Sequence, residues 1–118
     1  MKKKSRKQSL KRRHEFRYHN VEAKNKFGKA INIKHPAYIF LSKGNLYIYV
    51  TLTHSNRIAN CLVVKLRKNP NPKDKKTAYY VAEVKQDTMD RFGKRHDDWK
   101  IDLSDDNDIR SLLSKIKR

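Results

Sequence analysis

The stretch Leu46–Thr53, LYIYVTLT, decides the fold class. Leu46, Ile48, Val50 and Leu52 fall on one side, and Tyr47, Tyr49, Thr51 and Thr53 on the other. That period of two is a strand with its aliphatic row in a core and its Tyr/Thr row facing outward. Upstream, Ala37–Leu41 (AYIFL) follows Pro36 and reaches this strand through Lys43-Gly44-Asn45, the signature of a hairpin. Downstream, Leu62–Leu66, Thr77–Val84 and the alternating Trp99, Ile101 and Leu103 read as three further strands. Asn69-Pro70-Asn71-Pro72 is a loop, because two prolines remove two backbone donors and fix φ.

The chain closes on a helix. Ser104 is its expected cap, Asp105, Asp106 and Asp108 enrich its first turn, and Lys115, Lys117 and Arg118 its last, the order the helix dipole favours. Ile109, Leu112, Leu113 and Ile116 make one apolar stripe at i, i+3, i+4, i+7. The expected fold is mainly β with a C-terminal helix, a small, strongly curved barrel or a sheet closed by that helix, over residues 34–118. Residues 1–33 are expected to be a basic, largely irregular N-terminal arm, since their few large apolar residues show no sustained period.

Charge carries the functional reading. The 118 residues hold 30 Lys and Arg against 12 Asp and Glu, a net +18. Residues 1–35 alone hold 13 cations against Glu15 and Glu22. So large a positive field points to a polyanion, with RNA the leading partner and DNA the alternative. Cys61 is the single cysteine, which excludes a disulfide framework and a cysteine-rich zinc site, and it is expected to be a small buried hydrophobe. The five histidines lack metal-ligand spacing, three glycines leave no room for a Gly-rich phosphate loop, and no apolar run suits a membrane helix or secretion signal. No metal, cofactor or membrane insertion is expected, and the cytoplasm is the expected location.

The nucleic-acid contacts expected from this pattern are Tyr47, Tyr49 and Tyr79 as stacking faces, with Arg57, Lys65, Arg67, Lys73, Lys75 and Lys76 on the backbone, to which the family resemblance given below adds Arg91. Lys2, Lys3, Lys4, Arg6, Lys7, Lys11, Arg12 and Arg13 of the arm add to them. Metal-free RNA cleavage needs a base for the 2′-OH, an acid for the leaving oxygen and a donor for the phosphorane charge. The densest such group is Thr51-Leu52-Thr53-His54-Ser55-Asn56-Arg57, where the best strand leaves the sheet.

The order His35-Pro36-Ala37-Tyr38-Ile39-Phe40, then Tyr49-Val50-Thr51-Leu52-Thr53-His54-Ser55, then Asp90-Arg91-Phe92-Gly93-Lys94, resembles the PemK/MazF family of toxin barrels. The resemblance covers roughly residues 34–117, by pattern and order. It implies an SH3-like barrel, usually a homodimer, that cuts single-stranded RNA without metal and is silenced by an antitoxin, for which an acidic protein is expected. It also implies that Thr53 matches the family's strand-end Thr, that His35 stands where the family has an Arg before Pro, and that Arg91 matches a later basic residue. The catalytic candidates are therefore His35, Thr53, His54 and Ser55. The alternative function is a non-catalytic DNA- or RNA-binding protein using the same face and the basic arm.

Overall fold

The computed structural model describes residues 9–116. Lys2, Lys3, Lys4, Arg6 and Lys7 lie outside the described residues. Six antiparallel strands run in the order β1 (Leu10–Lys24), β2 (Ala30–Lys43), β3 (Leu46–Thr53), β4 (Val63–Lys65), β5 (Tyr79–Val81) and β6 (Lys85–Thr88), followed by a 3-10 turn at Met89–Arg91 and α1 (Leu103–Ile116). The sheet order is β1-β2-β3-β5-β4, and β6 also pairs with β3. The free edge of β3 is shared: its first half holds β6, and Leu52 and Thr53 hold β5. This sheet is open and does not close into the expected barrel.

The expected hairpin is present as β2 and β3, turning at Gly44 with φ 58°. The expected arm is corrected. Residues 10–24 form the longest strand and pair with β2 along nearly its whole length, from Leu10 opposite Lys43 to Lys24 opposite Ala30. Two features hide this strand in the sequence. A register shift between Arg12 and Glu15 resets the alternation. Two of its buried positions then hold Glu15 and His19 rather than aliphatic residues.

The sheet is covered on both faces, which is the second correction. One face packs Phe16, Tyr38, Phe40, Ile48, Val50 and Leu52 against Ile109 of α1, Leu66, Ala78 and Tyr80. On the other face, the tyrosines of the expected outward row are buried, Tyr47 and Tyr49 being 6% and 3% exposed, while Thr51 and Thr53 are half-buried. Phe92 lies edge-on to both rings, at 5.1 and 5.2 Å, and stacks on His19 at 4.6 Å. The segment carrying Phe92 crosses that face. It leaves β6 beside β3 and reaches the outer edge of β1, where the Gly93 amide donates to the Tyr18 carbonyl and the His96 amide to the Phe16 carbonyl.

The helix docks through charge as well as its apolar stripe. Asp102, not Ser104, caps it, accepting from the amides of Ser104 and Asp105. Asp105 and Asp106, expected to serve the helix dipole, are each 1% exposed. Asp106 accepts from the Tyr38 hydroxyl at 2.6 Å and from Arg110 Nε, while Arg110 also donates to the carbonyls of Phe40 and Arg13. Asp105 accepts the Arg67 amide and guanidinium. Each buried carboxylate is thus paired and hydrogen-bonded, the condition under which burial of charge is tolerated.

Other expectations shift locally. Residues 99–102 are irregular, and Leu103 begins the helix with its side chain exposed. Leu62 is exposed, and so is Cys61, which was expected to be buried. β6 falls in KQDT, whose polar letters carry no strand signal.

Candidate nucleic-acid interface

Pairing between β2 and β3 stops at Ala37 opposite Thr51. The same register carried two residues further sets His35 opposite Thr53, where the strands part and leave room between them. Two clefts open there, of about 340 and 510 Å³, and His35 and Thr53 line both. Such volumes lie at the lower end of the range for small-molecule sites.

The smaller cleft has aromatic and proline walls, from Tyr18, Trp99, Pro36 and Pro70, and a polar rim that includes His35, Thr53, His54, Asn71 and Asp74. Trp99 stacks on His96 at 4.5 Å, and His96 meets Tyr18 edge-on at 5.0 Å, so these walls are braced from behind. His54 Nε2 lies 2.6 Å from Asp74 Oδ2. The carboxylate is fixed from its own side, because Oδ1 accepts the Lys76 amide. The loop around it is knitted by asparagines: Asn69 Oδ1 accepts the Asn71 amide, Asn71 Oδ1 accepts the Lys73 amide, and Asn69 Nδ2 donates to the Lys76 carbonyl.

The His54 imidazole, followed by the Lys76 amide and Asn69, holds the Asp74 carboxyl down at about 2. Asp74 is therefore ionised at neutral pH and can only accept. The neutral His54 ring must carry its proton on Nε2, which leaves Nδ1 as the free acceptor. An imidazole in one tautomer, oriented by a fixed carboxylate beside a cleft, is the arrangement of a general base. Thr53 Oγ1 accepts the Ser55 amide and keeps its own proton to donate. Ser55 plays a different part: its hydroxyl donates to the Arg57 carbonyl, and it lines neither cleft.

The larger cleft brings His19, Tyr49, Cys61 and Lys85 to the other side of His35. His19 is buried, with Nε2 2.8 Å from Asp87 Oδ2 and Nδ1 3.2 Å from the Tyr49 hydroxyl. Burial, with the charges of Asp87 and Glu83, pushes the Tyr49 hydroxyl up to about 12. Burial also raises Asp87, but hydrogen bonds from His19 and the Thr88 amide outweigh it and leave the carboxyl below its ordinary value.

The expected cation set divides by residue type. Every ion pair among the described residues is made by Arg or His, and none by Lys. Arg13 bonds Ser42 and Glu15 and lies over the Tyr47 ring; Arg12 faces Asp106, Arg67 holds Asp105 and Asp108, and Arg91 lies 3.9 Å from Asp87. Arg13 and Arg67 are held by hydrogen-bonded pairs, whereas Arg12 and Arg91, both exposed, make only longer contacts. Planar guanidinium suits such fixed multidentate roles. Arg57 is exposed on the loop after β3, and Lys11, Lys65, Lys73, Lys75 and Lys76 are exposed too. The last three flank Asp74 on the loop that walls the smaller cleft.

Tyr47 and Tyr49 are buried and cannot stack on a base. Tyr79, half-buried at the β5 edge, remains partly open. The aromatic walls of the smaller cleft, Tyr18 and Trp99, are not among the expected contacts. Asp74 was missed as well: it lies twenty residues from His54 in a proline-flanked loop, with nothing local to mark it. Among the described residues, no group of three or more His, Cys, Asp or Glu could hold a metal ion, and no helix is long and apolar enough to cross a membrane.

No family model matches the chain, and neither a curated protein nor a solved structure does.

Proposed function

We propose that the protein binds RNA across the smaller cleft and cleaves it there without metal. The observation that carries this reading is the placing of two imidazoles, His35 and the Asp74-held His54, on one cleft with aromatic walls in a protein of net charge +18. Tyr18 and Trp99 offer a base-stacking wall, and Lys73, Lys75 and Lys76 a cationic rim for phosphates. His54 Nδ1 takes the 2′-OH proton, and the 2′ oxygen forms a bond to phosphorus as the bond to the 5′ oxygen breaks. The His35 imidazolium gives its proton to that oxygen. The products are a 2′,3′-cyclic phosphate and a 5′-OH end. Thr53 and the rim lysines stabilise the charge on the phosphorane.

The resemblance to PemK/MazF toxins supports the same chemistry class and extends the proposal to an SH3-like core, a homodimer and an acidic antitoxin as partner. The departures matter for mechanism: His35 replaces an arginine, so the second proton carrier here is an imidazole. A second reading, a non-catalytic DNA- or RNA-binding protein, is favoured by the exposed lysines that lie away from the cleft on the β1–β2 hairpin.

The test is incubation with a long unstructured RNA in EDTA, beside binding of a 2′-O-methyl oligonucleotide that has no attacking hydroxyl. Cleavage with binding supports the proposal. Binding alone selects the second reading, and no retention at low salt overturns both.

A further inference from the structure

Beyond the cleft, β1 and β2 continue as a two-stranded ribbon. Asn20 pairs with Lys34, and Lys24 with Ala30, after β2 has left β3 at Ala37. Five residue pairs at about 3.3 Å each give this ribbon a length of roughly 17 Å, with Val21 and Ile33 near its base lining the larger cleft. Its tip is built to hold one shape. Asn25 Oδ1 accepts the amides of Phe27 and Lys29, the Gly28 amide donates to the Asn25 carbonyl, and the Asn25 amide donates to the Lys29 carbonyl. Gly28 takes φ +80°, a conformation that L side chains resist.

What this turn presents is Phe27, 83% exposed, the most exposed large hydrophobic residue among those described. Among the described residues the ring belongs to neither hydrophobic cluster. Lys26 Nζ lies 5.4 Å from its centroid, and Lys24, Lys29 and Lys34 are exposed around it, against Glu22 as the one acid of the ribbon. A rigidly presented aromatic ring set among lysines that make no ion pair has the composition of a base-stacking contact: a π face for one base and cations for the flanking phosphates.

We propose that Phe27 is a stacking finger for an unpaired nucleobase, with Lys24, Lys26 and Lys29 holding the adjoining phosphates. This rests on the reading of the protein as an RNA binder and deepens it: the substrate class is single-stranded, and it is gripped at a second point beyond the cleft. A base in a duplex is already stacked on both faces, so the finger favours unpaired segments. An anionic membrane is the competing use of an aromatic tip among lysines, but a single ring adds too little apolar area for stable anchoring.

The test uses full-length protein and a 2′-O-methyl 15-mer of unstructured sequence, with one copy carrying 2-aminopurine. Phe27 packs against no core residue, so Phe27→Ala folds as the parent does. It is expected to weaken binding about tenfold and to abolish the quenching of 2-aminopurine that stacking produces. Its log–log salt dependence stays unchanged, because a phenyl ring releases no counterions. Replacing Lys24, Lys26 and Lys29 by Gln is expected to lower that slope by about two units.

Wild-type affinity retained by Phe27→Ala would overturn the finger and leave RNA binding at the cleft standing. Equal affinity for a duplex would overturn the single-strand preference. No retention of the oligonucleotide by the wild type at low salt would overturn RNA binding itself. Phe27-dependent capture by phosphatidylserine vesicles, in place of the oligonucleotide, would overturn the proposal in favour of a membrane.

Discussion

His54 and Asp74 stand twenty residues apart in sequence and 2.6 Å apart in the fold, where the end of β3 meets a loop stiffened by its own asparagines. The carboxylate fixes which imidazole nitrogen carries the proton, and so decides what His54 offers to the cleft. A polar turn with a solitary histidine would have no such preference.

Asp74→Asn keeps the shape of the pair but removes the obligate acceptor, so Nε2 is no longer the preferred site of the proton. RNA cleavage is expected to fall about 100-fold or more, with affinity for a 2′-O-methyl oligonucleotide little changed. The sign with pH is definite. Asp74 is depressed to about 2, so its pairing is intact above that value and lost as pH falls through it. Between pH 5 and 8 Asp74 stays ionised, so the advantage of the wild type over Asp74→Asn is expected to hold throughout that window. Initial rates across the window check this.

The helix should fail in acid through Asp106. Burial raises this carboxyl, but hydrogen bonds from Arg110 and Tyr38 outweigh burial and leave it below the ordinary range. Glu15 behaves alike, with burial offset by Arg13 and Arg17. A depressed native value means stability that is whole above about pH 4 and lost as pH falls through the native values. Thermal melts from pH 7 to 2 are expected to show this decline. Asp106→Ala, which leaves Tyr38 and Arg110 buried without their partner, is expected to cost about 3–5 kcal/mol at pH 7 by denaturant unfolding.

Arginine and lysine are expected to separate in mutagenesis. Arg67→Ala removes the bridge from the β4 edge to Asp105 and Asp108, and should lower the melting temperature. Lys73, Lys75 and Lys76 changed together to Gln should leave the melting temperature within about 2 °C and lower RNA affinity. Melting curves beside gel shifts at one salt concentration distinguish the two effects.

Removal of residues 2–8 takes away Lys2, Lys3, Lys4, Arg6 and Lys7 and leaves β1 whole. If each of these five cations meets a phosphate, the log–log salt slope should fall by up to about 3.5 units. Binding isotherms of the 2′-O-methyl oligonucleotide between 50 and 300 mM salt measure it.

The sequence made the β2–β3 hairpin and the amphipathic helix legible, because period two in Leu46–Thr53 and period 3.6 in Ile109–Leu113 survive wherever one face is apolar. It could not reveal that Tyr47 and Tyr49 are covered, since that depends on Phe92, 45 and 43 residues further along the chain. β1 was illegible for a related reason. Its buried Glu15 is satisfied by Arg13 and Arg17, two residues to either side, but burial of His19 depends on Tyr49 and Asp87, 30 and 68 residues away and beyond any local window. At the site, Thr53 and His54 were legible as reactive residues where β3 ends, and His35 only through the family resemblance. Their shared cleft and the Asp74 partner are products of tertiary structure.

The most direct measurement is an end-group analysis. An unstructured RNA labelled at its 5′ end is incubated in EDTA with the wild type, His35→Ala and His54→Ala, and the products are resolved. The wild type should yield fragments ending in 2′,3′-cyclic phosphate, and each variant should lose at least about 100-fold in rate while still retaining the uncleavable oligonucleotide. RNA left whole by a large excess of wild-type protein, or cut equally well by both variants, would contradict the account.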